Sequence, residues 1–240
     1  MQLYPDKMLT LLEWRRDLRN IMGRISADYS VREEAACYDR YFSRREDVCL
    51  GVNEGWYAGA EAVKGYYEAL GREIALVSKL VQKDFPEKLG DKSDAEIYGV
   101  GAMTYLPFDS QIIEIADDQQ TAKGLWNIRG SYSRMTVSGP VAYWWFGWAA
   151  VDFIYEEGQW KIWHLQLLKN LDCQCGTAFG AEPQQFEPVA AYAELADFHM
   201  PEPNIPTPVL ANYYPGRPHV TSPAMPVPYE TFADTFSYGI

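Results

Sequence analysis

The sequence contains few of the residues that build metal centres and disulfide frameworks, with three histidines and four cysteines among 240 residues. Cys173 and Cys175 are separated by one residue, which is tighter than the usual Cys-x-x-Cys pair, and no histidine lies at ordinary zinc-ligand spacing from them. We interpret the cysteines as reduced structural thiols, with a metal or redox role as the minor alternative. We expect neither a metal nor an organic cofactor.

Positive charge is also scarce. The chain has 33 acidic and 21 basic residues, which gives a net charge of −12 and a pI near 4.7. No stretch is dense enough in Lys and Arg to reverse this charge locally. Such a protein repels phosphate backbones and anionic lipid headgroups, so we expect neither nucleic acid nor membrane surfaces as partners.

Long hydrophobic runs are absent. The most hydrophobic window, Val141 to Ile154, is too short to cross a bilayer and contains Asp152, so it predicts a buried strand. The first residues lead directly into a charged helix and show no basic start followed by an apolar core. We therefore expect a soluble cytoplasmic protein without a secretion signal or a transmembrane segment.

Helical periodicity dominates the first third of the chain. Apolar residues recur at helical spacing from Asp6 to about Ser26. Ser30 followed by Glu33 is a capping-box pattern, which predicts a second helix from Ser30 to about Arg44. A third helix is expected from about Ala60 to Lys83, before Pro86. Three helices therefore precede the strands.

From Val100 onward, β-branched and aromatic runs alternate with Asp-, Gly- and Ser-rich turns, which is typical of an antiparallel meander. The clearest hairpin turn is Glu156–Gly158, because glycine accepts a positive φ. A short strand is also expected at Val48 to Val52. The strands of the meander are expected near Val100 to Leu106, Gln111 to Ala116, Thr121 to Arg134, Pro140 to Tyr155 and Gln159 to Lys169.

The last part of the chain is rich in proline, since eleven of the fifteen prolines lie between Pro183 and Pro228. Only Ala190 to Ala196 could form a helical turn or two, so this part cannot build a core of its own. It nevertheless keeps many aromatic residues, which a solvated linker does not need. We predict a folded domain over residues 1–170 and an ordered, extended arm over 171–240 that packs on the domain or on a partner subunit.

Three local motifs resemble one superfamily. Gly59–Val63 resembles a glycine-led start of the third helix, Ile112–Asp117 followed by Thr121–Trp126 resembles a first long hairpin, and Gly158–Ile162 resembles a closing one. Over residues 8 to 170 the chain is thus similar to the SnoaL-like and nuclear-transport-factor-like proteins. The resemblance implies an α+β fold, a cone-shaped and strongly curved antiparallel sheet packed on three N-terminal helices, around an aromatic-lined pocket for a small apolar molecule.

Enzymes of this superfamily include scytalone dehydratase, ketosteroid isomerases, polyketide cyclases and dehydrochlorinases, whereas other members are binding or assembly modules. The enzymes commonly combine an Asp near the first helix with a His on an early strand. Asp28 matches the dehydratase-like aspartate, whereas the dehydrochlorinase-like acid falls near Met22, which cannot ionise. The expected histidine strand reads Met103 to Leu106, so its nearest titratable group is Tyr105. No family dyad is intact.

Each candidate catalytic residue has a structural alternative. Asp28 is a candidate base or, ahead of Ser30, a helix cap. Tyr105 and Tyr132 are candidate donors to a substrate carbonyl or ordinary half-buried strand tyrosines. His164 is expected to point away from the pocket, as a packed or interface histidine, and would be catalytic only if the strand register slips by one residue.

Side chains alternate between the two faces of the strand that contains Tyr143 to Trp148. Counting back from the Gly158 turn places Tyr143, Trp145 and Ala149 inside the cone, with Trp163 and Leu165 from the last strand. Asn127 and Arg129 share one face of their strand and could hold a carboxylate or carbonyl group, or form hairpin ion pairs. The predicted ligand-binding residues are Trp126, Asn127, Tyr143, Trp145, Trp163 and Leu165.

The leading functional hypothesis is a cofactor-independent lyase, such as a dehydratase, or an isomerase that acts on a cyclic or aromatic apolar compound by acid/base chemistry. Asp28 would be the base, the tyrosines would stabilise an enolate, and the indoles would stack on the ring. The alternative is a non-catalytic ligand-binding or assembly module of the same fold.

The outward face with Trp144, Phe146 and Trp148 would be a large exposed apolar patch unless a partner subunit or the C-terminal arm covers it. We predict a homo-oligomer, most simply a homodimer packed through this face. Light scattering at micromolar concentration should give the mass of a dimer or a higher oligomer, and the mass of a monomer would contradict the prediction.

Overall fold

The computed structural model describes residues 5–177, 192–206, 213, 216 and 223–240. Its helical elements are α1 (Pro5–Ser30), a 3-10 turn (Glu34–Ala36), α2 (Cys37–Tyr41), α3 (Ala60–Asp84), α4 (Pro86–Leu89), α5 (Asp94–Ile97) and two further 3-10 turns (Ala193–Leu195 and Phe232–Asp234). None of the helices in these ranges is long and apolar enough to cross a membrane.

The predicted boundary between the first two helices is wrong. Helix α1 continues to Ser30, whose hydroxyl donates to the carbonyl of Ser26 instead of capping a new helix. Glu33, the other half of the expected capping box, pairs with Arg40. Arg32 has a φ of 64°, which stops helical continuation, so the expected second helix shortens to the 3-10 turn and α2.

The strands form one curved sheet that is not closed. Its order is β3-β5-β6-β7-β1-β2-β8, with β4 paired to β5. All pairs are antiparallel except β1 with β7. The strands are β1 (Cys49–Val52), β2 (Gly55–Ala58), β3 (Ala102–Tyr105), β4 (Phe108–Ile115), β5 (Thr121–Thr136), β6 (Gly139–Glu156), β7 (Gln159–Gln174) and β8 (Ile205–Pro206). The predicted α+β class and curved antiparallel sheet are confirmed.

Two irregularities interrupt the pairing of β6 with β7. At one of them the register steps from His164 to Ile162 and passes over Trp163, and at the other it steps from Leu171 to Lys169 and passes over Asn170. Such extra residues bend a strand and increase its twist, which helps this long sheet to curve.

The concave face of the sheet holds the main core. Strands β5, β6 and β7 contribute Trp126, Phe153 and Leu165, and α1 contributes Met22 and Ile25. All of these side chains are buried. The core occupies the end of the sheet near the β6–β7 turn, which leaves the opposite end for a cavity.

The convex face carries a buried ionic cluster. Lys123 from β5 donates to Oδ1 of Asp152 on β6 at 2.5 Å, and His164 Nδ1 from β7 donates to Oδ2 at 2.9 Å. Ser237 and the backbone N–H of Tyr238 also donate to Oδ2. Burial lowers the pKa of Lys123, while Asp152 opposes that shift. The cluster therefore attaches the end of the chain to the middle of the sheet.

Aromatic rings from the C-terminal segment, residues 229–240, surround the lysine. The Nζ of Lys123 lies 4.5–5.0 Å from the ring centroids of Phe236, Phe232 and Tyr238. Phe236 and Tyr238 also pack with Trp148, which covers part of the convex face. Trp144 stays 38% exposed, so a dimer through the uncovered part of this face stays a prediction.

Removal of the Asp152 charge should destabilise the fold. Asp152→Asn leaves the buried Lys123 cation without a counter-charge, and we expect a loss of about 3–5 kcal/mol in the free energy of unfolding. Asp109→Asn is the matched control, because its ion pair with Arg129 is exposed and should contribute less than about 1 kcal/mol. Urea unfolding of both variants measures the difference, and equal losses would contradict a dominant role for the cluster.

Candidate functional site

The cavity lies on the concave side at the end of the sheet away from the β6–β7 turn, and its volume is about 780 Å³. Its walls come from the end of β5, the start of β6, the end of β7, the face of α3 and the arm. Aromatic and charged side chains share these walls. The ones that matter for its chemistry are Tyr29, Arg32, Glu34, Glu54, Tyr57, Tyr66, Glu73, Thr104, Tyr132, Tyr143, Trp145, Lys169, Asp172 and Glu202.

One wall is an aromatic platform. The rings of Tyr132 and Tyr143 are stacked with centroids 4.9 Å apart and an interplanar angle of 12°. The Nζ of Lys169 lies 4.8 Å from the ring centroid of Trp145 and 5.4 Å from that of Tyr132. Flat apolar rings of this kind are suited to contact with a planar ligand.

Asp172 holds this platform in place. Its Oδ1 accepts a hydrogen bond from the Tyr132 hydroxyl at 2.7 Å, and its Oδ2 accepts one from Lys169 at 2.9 Å. Burial, and then the nearby Asp172 charge, raise the pKa of Tyr132 far above its ordinary value. Tyr132 therefore remains protonated, and its proton is committed to Asp172.

A second wall contains Arg32 and Glu34. Glu34 is only 2% exposed, and its Oε1 accepts from Arg32 at 2.7 Å. Arg32 also donates to the hydroxyl of Thr104 at 2.8 Å. Oε2 of Glu34 and Nε of Arg32 are both buried and have no hydrogen-bond partner within the described ranges. One acceptor and one donor on neighbouring side chains are therefore available.

The environment of Glu34 raises the pKa of its carboxyl group above the ordinary value. Burial raises the pKa of Glu34, and the Arg32 guanidinium opposes this shift only in part. Tyr29 and Tyr66 also line the cavity, and burial keeps their pKa values above the ordinary tyrosine value. A carboxyl group in such dry surroundings can exchange a proton nearer to neutral pH than an exposed one.

The arm completes the cavity from outside the cone. The hydroxyl of Tyr57 donates to the carbonyl of Pro201 at 2.7 Å, and the side chain of Asn204 bonds to both backbone groups of Ala58. Strand β8 pairs with β2 just beyond this point. The stretch 192–206 thus forms a wall of the cavity in its own chain. The helical turn predicted at Ala190 to Ala196 is a 3-10 turn at Ala193–Leu195, and the start of the predicted range lies outside the described residues.

The structure places Asp28 beside the cavity wall and not in it. Asp28 lies in the last turn of α1, so it does not cap a helix. Its carboxylate accepts from the Tyr41 hydroxyl and from Arg40, both at 2.8 Å. The residues that line the cavity include its neighbour Tyr29 but not Asp28. A role for Asp28 as the base stays a prediction.

The other candidate catalytic residues are widely separated. Tyr105 is 58% exposed at the edge of the sheet, and His164 lies on the convex face in the Asp152 cluster. Only Tyr132 lines the cavity. The expectation that His164 points away from the pocket agrees with its position.

The predicted ligand-binding residues divide between the two ends of the sheet. Tyr143 and Trp145 line the cavity, whereas Trp126 and Leu165 belong to the packed core at the other end. Asn127 pairs with Trp148 and shares the convex face. Which of these contact a ligand stays a prediction.

The expected inward orientation of Trp163 is wrong. The irregularity beside Phe153 makes Trp163 an extra residue, which removes it from the face of Leu165. Its ring stacks on His164 and Phe232, and its Nε1 donates to Asp47. A bulge of this kind changes alternation without leaving a clear signal in the sequence.

Sequence reasoning missed Arg32, Glu34, Lys169 and Asp172. The pair Glu33–Glu34 resembles the acidic first turn of an exposed helix, so nothing indicated that Glu34 is buried. Asp172 lies beyond the predicted end of the last strand, which in fact continues to Gln174. The sequence feature that came closest to indicating these residues was the aromatic strand with Tyr143 and Trp145, because its inward side chains line the same cavity.

The four cysteines are free thiols, and burial raises the pKa of Cys49 to about 12. Among the residues that the structure describes, no group of three or more His, Cys, Asp and Glu side chains is arranged to hold a metal ion.

No protein-family model and no curated protein matches the chain. Among solved structures, it is similar to a putative scytalone dehydratase from Novosphingobium aromaticivorans, with 13% identity over 70% of this chain and 91% of that one and a TM-score of 0.48. It is also similar to a hexachlorocyclohexane dehydrochlorinase from Novosphingobium barchaimii, with 13% identity, coverage of 73% and 99%, and a TM-score of 0.45.

A further similar structure is an NTF2-like protein with a cystatin-like fold from Novosphingobium aromaticivorans, with 13% identity, coverage of 72% and 90%, and a TM-score of 0.43. Identities this low concern the fold alone. The order of helices and the curved antiparallel sheet agree with the fold that the sequence resemblance implied.

Replacement of Asp28 tests whether its contacts are structural. Asp28→Asn weakens the bonds to Arg40 and Tyr41, so we expect a loss of about 1–2 kcal/mol in the free energy of unfolding, with any turnover of the wild-type protein preserved. Asp39→Asn, in an exposed pair with Arg44, is the control. Loss of turnover at unchanged stability would show instead that Asp28 is the base.

Proposed function

We propose that the protein is a cofactor-independent lyase or isomerase that removes a proton next to a carbonyl group in a small ring compound. Glu34 acts as the base, and Arg32 donates a hydrogen bond to the carbonyl oxygen. The cavity holds the ring, and the aromatic platform of Tyr132, Tyr143 and Trp145 stacks against it.

The observation that carries this proposal is the presence of two unpartnered buried atoms, Oε2 of Glu34 and Nε of Arg32, on two ion-paired side chains that line the cavity. Burial of polar atoms without partners costs free energy, so a ligand that satisfies both of them gains binding energy. A carbonyl compound offers an acceptor to Nε and an acidic C–H to Oε2. The pair therefore matches the two needs of enolate formation.

Charge balance supports the same step. When Glu34 takes the proton, negative charge moves from its carboxylate to the carbonyl oxygen of the substrate. The Arg32 guanidinium contacts Glu34 before the transfer and is available to the enolate after it. In an isomerase the proton returns to another carbon, and in a dehydratase a hydroxyl group takes up a proton and leaves as water.

Asp172 and Lys169 serve the platform in this scheme. Because the Tyr132 proton is committed to Asp172, this hydroxyl is a positioning group and not the donor to the substrate. The rings then fix the plane of the ligand, which aligns its C–H bond with Glu34.

A second candidate function is that of a non-catalytic ligand-binding module. It is favoured by Thr104, which lies in the Met103–Leu106 stretch where the superfamily enzymes commonly carry their histidine, and which is already bonded to Arg32. In this case the cavity binds the same class of compound without proton transfer.

The test is hydrogen–deuterium exchange at the carbon next to the carbonyl, followed by NMR in D₂O over a panel of cyclic ketones and β-hydroxyketones with one to three rings. Glu34→Gln should reduce enzyme-dependent exchange by about 10²-fold or more, because glutamine cannot accept the proton. Below the raised pKa of Glu34, the wild-type rate should fall with decreasing pH, since the base is then protonated.

The matched control is Glu33→Gln, which removes the neighbouring but exposed carboxylate that pairs with Arg40. It should leave exchange unchanged. Exchange by Glu34→Gln at the wild-type rate would rule out the assigned base. Ligand binding without exchange in the wild-type protein would support the binding module.

A further inference from the structure

The part of the cavity near Tyr57 and Tyr66 differs in charge from the Arg32–Glu34 wall. The two rings lie 4.8 Å apart with an interplanar angle of 52°. Three carboxylates from different elements line the cavity with them: Glu54 from the β1–β2 turn, Glu73 from α3 and Glu202 from the arm. We refer to these five residues as the acidic aromatic wall.

The three carboxylates have no ion-pair partner in the part of the chain that the structure describes. Within the described residues, no Lys, Arg or His forms a salt bridge with Glu54, Glu73 or Glu202, whereas the cavity cations Arg32 and Lys169 are each paired with an acid. Among the described lining residues, the remaining cation is Arg134, which lies over the ring of Tyr132 on the platform. Counted over residues 5–177 and 192–206, five carboxylates therefore line the cavity against three cations.

The electrostatic effects of these carboxylates converge on the two rings. Burial, and then the charges of Glu54 and Glu202, raise the pKa of Tyr57 to about 12. Glu54 and Glu73 act in the same direction on Tyr66. The charges thus act on one place in the cavity, although Glu54 and Glu202 are exposed and Glu73 is half-buried.

An independent observation also indicates a ligand here. Glu34, 2% exposed and with one oxygen unpartnered, lines the same cavity, and the like charge of Glu73 raises its pKa further. The excess negative charge thus extends from the mouth to a buried carboxyl group. A bound positive charge would relieve this repulsion, and a bound anion would increase it.

We infer that the ring compound bound in this cavity carries a protonated amine, which lies against the rings of Tyr57 and Tyr66 and is neutralised by Glu54, Glu73 and Glu202. An ammonium group is attracted by aromatic faces and by carboxylates together, and desolvation strengthens both attractions. Carboxylated and phosphorylated ring compounds are disfavoured. This inference rests on the proposed function only in taking the cavity as the substrate site.

Three matched probes test the charge preference without knowledge of the substrate: 2-naphthylmethylamine, 2-naphthylmethanol and 2-naphthoic acid. Isothermal titration calorimetry on the full chain at pH 7 and low salt should show the amine binding about tenfold tighter than the alcohol, and the acid more weakly than both. The preference for the amine should shrink at 0.5 M salt because the carboxylates are partly exposed. Equal or tighter binding of the alcohol or the acid would overturn the inference.

Variants locate the effect on the acidic aromatic wall. The double change Glu54→Gln and Glu73→Gln should weaken the amine by about five- to tenfold and leave the alcohol unchanged. Glu61→Gln on the same helix, α3, is the control, because Glu61 is exposed and does not line the cavity. If the double variant keeps the wild-type preference for the amine over the alcohol, the acidic aromatic wall does not cause that preference and the inference fails.

Failure of this inference is distinguishable from failure of the proposed function. Binding of the alcohol without preference for the amine leaves Glu34-dependent proton exchange intact as a separate result. If exchange does not depend on Glu34 but the protein still prefers the amine, the proposed enzymatic activity is refuted and the inferred class of ligand is supported. Absence of binding by all three probes would overturn the amine inference.

Discussion

The structure depends on the carboxylate of Asp152, which accepts hydrogen bonds from Lys123, His164, Ser237 and the backbone of Tyr238. These donors come from β5, β7 and the end of the chain, and Asp152 itself lies in β6. A buried charge that loses its partners strongly destabilises the fold, so a register slip in either long hairpin would lower the free energy of unfolding. Once the convex face is fixed in this way, alternation determines which side chains point into the cone.

The strand register that the Asp152 cluster fixes also determines which side chains line the cavity. Along β6 the inward residues begin with Tyr143 and Trp145 at the open end and continue to Ala149, Val151 and Phe153 in the packed end. The helices fill only the packed end. The long β5–β6 hairpin therefore leaves its aromatic and charged inward residues around an unfilled space, and the stretch 192–206 completes the wall.

The sequence predicted those features that depend on local patterns. Strand periodicity located the meander, and the Gly158 turn provided a reference for the faces of Tyr143 and Trp145. Helix α1 was predicted to end too early because the Ser30 hydroxyl has two possible partners and only the folded chain shows that it bonds to Ser26. The burial of Glu34 is a tertiary effect, as is the bulge at Trp163, and neither has a local signature.

The Arg32–Glu34 pair combines three features that are unfavourable for stability: a non-glycine residue at positive φ, a buried carboxyl group, and two buried polar atoms without partners. Each costs on the order of 1–3 kcal/mol unless something offsets it. Among the other described residues these features occur on separate side chains, such as the positive φ of Ser110 and the unpartnered hydroxyl of Tyr67, and the carboxylates of Asp28, Asp152 and Asp172 all have close donors. Three penalties at one point of a cavity wall are more than folding alone requires, and this combination supports the binding role that we propose for the pair.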